Sequence, residues 1–134
     1  MSALYSEVIL DHFRHPRNFG NLPSPDVTCE EVNPLCGDRI RIELAIRGGM
    51  VEAARFYGDG CAISIAAASL LTELVAGASI NRSDEVVSNQ ELLSSLESRI
   101  KPSRMKCALL ALEALRSGVK NYKQSNRLDD DIPS

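Results

Sequence analysis

The order of apolar and polar positions changes period several times along the chain, and each change marks a new element. Across "SALYSEVILDHFRHP", residues 2–16, Leu4, Val8, Ile9 and Phe13 recur at the spacing of one helix face. Ser2 can cap that helix and Pro16 ends it. Residues 17–26, "RNFGNLPSPD", form a loop rich in proline, glycine and asparagine, and "VTCEEV" suits a short strand. The period then drops to two. In "RIRIELAI", Ile40, Ile42, Leu44 and Ile46 alternate with Arg39, Arg41 and Glu43, which predicts one apolar and one largely wetted face. "RGG" supplies a turn and "MVEAARFYG" the returning strand, so an antiparallel meander of about three strands is expected.

After "GDG" helical spacing returns. "CAISIAAASLLTELVAG" predicts a helix whose Ala62, Ala66, Ala67 and Ser69 allow close packing, with Gly77 as its stop. Residues 78–101 read as a polar loop and then a helix carrying Leu92, Leu93, Leu96 and Ile100. "PSRMKCALLALEALRSG" is the last helix, opened near Pro102 or Ser103 and closed by Gly118. The stretch "NYKQSNRLDDDIPS" lacks an apolar face and is expected to be frayed or disordered. The expectation is one domain over residues 1–120 and a tail over 121–134. Its class is α+β, a small antiparallel sheet packed against helices.

Composition narrows the function. A chain of 134 residues with 44% hydrophobic and 25% charged residues can bury one core of ordinary globular kind. A net charge of -3, no tryptophan and 4% aromatic residues argue against nucleic acid as a partner. The N-terminus lacks the basic start and apolar run of a signal peptide, and no apolar stretch is long enough to span a bilayer. A cytoplasmic location and no membrane partner are expected. Thiols stay reduced there, so four cysteines read as ligands, nucleophiles or core residues.

Three of the four stand at special places. Cys36 lies in the loop "NPLCGD", Cys61 follows "GDG" where a strand gives way to a helix, and Cys107 falls near the start of the last helix. A helix N-terminus favours thiolate, and Arg104 and Lys106 beside Cys107 act in the same sense. Cys29, inside a strand with no such surroundings, reads as a core residue. Three thiolates and the carboxylate of Asp38 make four donors, enough for tetrahedral zinc or for the protein shell of a two-iron, two-sulfur cluster. Separations of 25 and then 46 positions exclude a zinc finger or ribbon, so the fold must bring the donors together. His12 and His15 read as surface residues at the end of the first helix, and Arg39 and Arg41 as a solvated strand face or a docking patch.

Taken in order, "LYSEVILDHFRHPRNFG", "NPLCGD", "GDGCAIS" and "RMKCALLALEAL" resemble the U-type iron–sulfur cluster assembly proteins, the family of IscU, SufU and the N-terminal domain of NifU. The resemblance runs from about residue 3 to 120. It implies a scaffold on which a transient [2Fe-2S] cluster is built and handed to apo-proteins or carrier proteins. It implies Cys36, Asp38, Cys61 and Cys107 as the residues that bind cluster, iron or zinc, and a cysteine desulfurase as sulfur donor. The alternative is a zinc-dependent sulfurtransferase-like carrier, with Cys107 or Cys36 accepting persulfide. On the first reading the protein is a non-enzymatic scaffold. Lys106 stands where IscU proteins carry a histidine, and Arg104–Cys107 resembles the SufU pattern, although only 45 residues separate Cys61 from Cys107. A third reading, a structural zinc domain, is disfavoured because such a site seldom sets aspartate among thiolates on glycine-rich loops.

Overall fold

The computed structural model describes residues 5–35, 37–81 and 87–131. Helix α1 spans Glu7–Arg14, and three strands follow, β1 (Val27–Val32), β2 (Arg39–Arg47) and β3 (Met50–Asp59). Helix α2 covers Ala62–Val75, a short α3 covers Asn89–Ser95, and a 3-10 turn at Pro102–Arg104 opens α4, Met105–Asp131. The strands form one antiparallel sheet in the order β1-β2-β3, with Ile42 paired to Cys29 on one side and to Phe56 on the other. The expected α+β meander is the observed fold.

Alternation sorts the faces as expected. Ile40, Ile42 and Leu44 of β2 join Val27, Ala54 and Phe56 in the core. Helix α2 packs on β3, α4 on β1 and β2, and α1 on α2. Helix α2 is buried nearly all round from Ile63 to Ser69, which explains its small side chains. A helix enclosed between a sheet and two other helices has no face left for long polar residues.

Four details depart from the sequence reading. The N-cap of α1 is Ser6, whose hydroxyl accepts the Ile9 N–H, while Ser2 lies outside the described residues. Glu43 is not on a wetted face but is 2% exposed. The loop after α1 folds over it, and its carboxylate accepts the Leu22 N–H at 2.7 Å and Arg41 Nε at 2.8 Å. Helix α4 does not close at Gly118 but continues to Asp131, so residues expected as a tail are helical and Tyr122 packs against the core. Gly118 serves a close approach instead: a Cβ there would stand 3.0 Å from Val27 Cγ1 and 3.1 Å from Cys29 Cβ.

The fourth is His12. It is buried at the α1–α2 contact, with Nδ1 2.7 Å from Ser69 Oγ, whereas His15 is exposed as expected. Among the described residues, no helix is long and apolar enough to cross a membrane.

Candidate metal centre

The site is assembled at one end of the sheet, where the β1–β2 loop meets the N-termini of α2 and α4. Asn33 shapes the loop. Its N–H donates to the Asp38 carbonyl at 2.8 Å, its carbonyl accepts the Gly37 N–H at 2.7 Å, and its Oδ1 accepts the Leu35 N–H at 3.1 Å. These bonds turn the chain from β1 back into β2 and set Asp38 just before Arg39.

Asp38 is 7% exposed and reaches across to the start of α2. Its Oδ2 accepts a hydrogen bond from Ser64 Oγ at 2.6 Å and lies 3.5 Å from the Cys61 nitrogen. Cys61 is the N-cap residue of α2, with extended backbone and no side-chain capping bond of its own. Asp38, arriving from another element, thus faces the N–H of the N-cap residue and holds the hydroxyl of Ser64 in the first turn, and its charge suits the positive end of the helix. Gly60 makes room for it. A Cβ there would lie 2.9 Å from Ser64 Cβ and 3.3 Å from Asp38 Cγ, so any larger residue would push the carboxylate away from the helix.

Cys107 is the third residue of α4 and only 2% exposed. Asn33 Nδ2 donates toward its Sγ at 3.8 Å. Arg104, one turn earlier, is held above its ordinary value chiefly by the field of the Cys61 sulfur, then by a hydrogen bond to Cys107 and by Tyr5. A groove lined by Asn33, Leu35, Pro102, Arg104, Lys106 and Cys107 leads down to this sulfur. Leu35 on its rim is 81% exposed.

One donor atom from each of Asp38, Cys61 and Cys107 lies within 4.8 Å of the others. Sulfur ligands of a tetrahedral zinc stand about 3.8 Å apart, twice 2.3 Å times the sine of half the tetrahedral angle. The three are therefore near ligand spacing and would close by up to about an ångström around an ion. Two soft sulfurs and one carboxylate suit zinc or ferrous iron, with the Arg104 guanidinium hydrogen-bonded to Cys107 beside them. The fit is good. Cys36, the fourth expected donor, lies outside the described residues.

The remaining candidates are elsewhere. Cys29 is half-buried and faces Gly118 of α4, where burial first and Glu31 second raise its thiol. His12 is committed to Ser69. Arg39 lies 3.7 Å from Glu30, and Arg41 holds Glu43. Sequence reading missed Asn33 and Ser64. Their only signal was position, Asn33 opening "NPLCGD" and Ser64 standing three residues after Cys61.

A small α+β domain that gathers thiols and a carboxylate where loops meet helix N-termini is built as a metal-binding scaffold. The chain belongs to the NifU-like N terminal domain family, whose model matches residues 4–129. It is 34% identical, over 94% of its length and 96% of the relative's, to a Bacillus subtilis protein named zinc-dependent sulfurtransferase SufU. It is 33% identical to the iron–sulfur cluster assembly scaffold protein IscU of Escherichia coli, over 89% of this chain and 94% of that one. The crystal structure of a nitrogen-fixing NifU-like protein (N-terminal) from Brucella abortus shares the fold, with a TM-score of 0.73 at 19% identity over 92% of this chain and 96% of the other.

Proposed function

We propose that this protein is an iron–sulfur cluster assembly scaffold, on which Cys36, Asp38, Cys61 and Cys107 hold iron and sulfide until an acceptor takes them. The observation that carries this reading is the approach of Asp38, Cys61 and Cys107 donors to within 4.8 Å, from three separate elements, in a chain of this family. Cargo, not a resident group, is what such a site suits. One oxygen ligand among sulfurs gives iron a weaker bond that an incoming acceptor thiolate can displace. The site lies at loop and helix ends, so an acceptor need not open the core to reach it. The sulfur would come as persulfide from a cysteine desulfurase and reach the sulfide level with electrons from ferrous iron and an external thiol or electron-transfer reductant. A reducing compartment such as the cytoplasm suits a site whose sulfur donors must stay reduced.

Oxygen-free reconstitution with ferrous iron, cysteine and a desulfurase tests this directly. The expected result is a visible absorption band of a [2Fe-2S] chromophore that moves to an apo-ferredoxin on mixing. Cys61→Ser and Cys107→Ser chains should each lose most of it. Unchanged absorption in both would refute the assignment.

A second reading is favoured by the match to a zinc-dependent sulfurtransferase across nearly the whole chain. Here zinc is resident and Cys107 or Cys36 accepts persulfide. Zinc would be held by the same four residues and would supply charge that keeps their sulfurs as thiolates. Cys107, at the bottom of the groove beneath Leu35, lies where a narrow donor arm rather than a flat surface would reach. This reading expects the zinc-loaded, iron-free chain to accelerate cysteine desulfuration. A desulfurase whose turnover does not respond would exclude it.

A further inference from the structure

Asn33 does more than its loop requires. A turn at the end of a strand needs only the side-chain oxygen, here accepting the Leu35 N–H at 3.1 Å. Aspartate or serine would serve that turn as well. What the turn leaves unexplained is the other half of the amide. Its Nδ2 is directed at Cys107 Sγ, 3.8 Å away and 74 residues along the chain, within the range of a hydrogen bond to sulfur. The side chain is buried, so an amide nitrogen without an acceptor would be costly, and the sulfur is the acceptor it has. Through its main chain the same residue fixes the Asp38 carbonyl at 2.8 Å.

We propose that Asn33 is a positioning residue of the metal centre: its amide N–H holds the Cys107 sulfur while its other bonds set the loop that carries Asp38. One neutral residue thereby spaces the loop half of the site from the helix half. Neutrality matters, because a carboxylate at this position would repel both a thiolate and Asp38. The amide also tunes the sulfur. A thiolate that accepts an N–H bond keeps its electron pair more tightly, and a metal–sulfur bond beside it changes accordingly. This inference rests on the reading of Asp38, Cys61 and Cys107 as one metal centre.

The test uses the full chain loaded with one equivalent of cobalt(II), comparing the unaltered protein with Asn33→Ala and Asn33→Asp, and with folding checked by circular dichroism. Asn33→Asp keeps the turn acceptor and removes the donor. Both variants should bind cobalt about 10- to 100-fold more weakly, the usual range for lost outer partners of ligands. The sulfur-to-cobalt charge-transfer band of Asn33→Ala should move to lower energy, which loosening of the loop alone would not produce. If Asn33→Asp binds cobalt as tightly as the unaltered chain with an unmoved band, only the turn matters and the proposal is overturned. If the unaltered chain shows no sulfur-to-cobalt band, the metal-centre reading itself fails, and the two failures are thus told apart.

Discussion

Ser64 donates a 2.6 Å hydrogen bond to Asp38, joining the first turn of α2 to the loop between β1 and β2. Both side chains are buried, and the acceptor is a carboxylate. Bonds of this kind contribute about 1.5–3 kcal/mol. Ser64→Ala should therefore lower the unfolding free energy of the metal-free chain by about that amount, measured in urea. It should also weaken zinc binding by about tenfold or more, because the carboxylate loses the partner that aims it. Full stability and full affinity in this variant would show that Asp38 is held by other means.

Gly118→Ala sets two effects against each other. Alanine inside a helix usually gains about 1 kcal/mol over glycine. Here the added methyl would press on Val27 Cγ1 at 3.0 Å and Cys29 Cβ at 3.1 Å, where α4 packs directly on β1. Overpacking of this sort costs about 1–3 kcal/mol. The cost is expected to win, so thermal denaturation should show a lower midpoint than that of the unaltered chain. A raised midpoint would mean that β1 and α4 can separate freely.

The buried histidine gives stability a pH dependence. Burial first, and the Arg17 charge second, hold His12 below the ordinary value of 6.5, against the opposing pull of Glu73 and Asp11. The unfolded chain then takes up its proton at a higher pH than the folded one. This part of the stability is full above about pH 6.5 and is lost as the pH falls through the folded value, with a slope of at most about 1.4 kcal/mol per pH unit. Urea titrations between pH 5.5 and 7.5 should show the slope, and His12→Gln should flatten it. An equal slope in both chains would assign it to other groups.

Much of the fold was legible because the period of the apolar positions is a local property. The alternation Ile40, Ile42, Leu44 and the switch to small residues after Cys61 each mark an element without reference to any other. Three of the four departures were long-range. Glu43 looked wetted because nothing near it in sequence says that Leu22 will cover it. Gly118 looked like a helix stop because a glycine that admits a strand is the same letter as one that ends a helix. His12 had the spacing of a surface residue, but its partner Ser69 lies 57 residues away. At the site, Asp38, Cys61 and Cys107 were legible through chemical type, since thiols and carboxylates advertise ligation. Asn33 and Ser64 were not, because an amide and a hydroxyl have many uses and only the structure shows which atoms they face.

X-ray absorption at the zinc edge of the loaded protein tests the shared centre most directly. One zinc per chain is expected, with three sulfurs at about 2.3 Å and one oxygen at about 2.0 Å, and with one sulfur lost in Cys61→Ser or in Cys107→Ser. A shell of nitrogen and oxygen alone, or three sulfurs still bound in both variants, would contradict it.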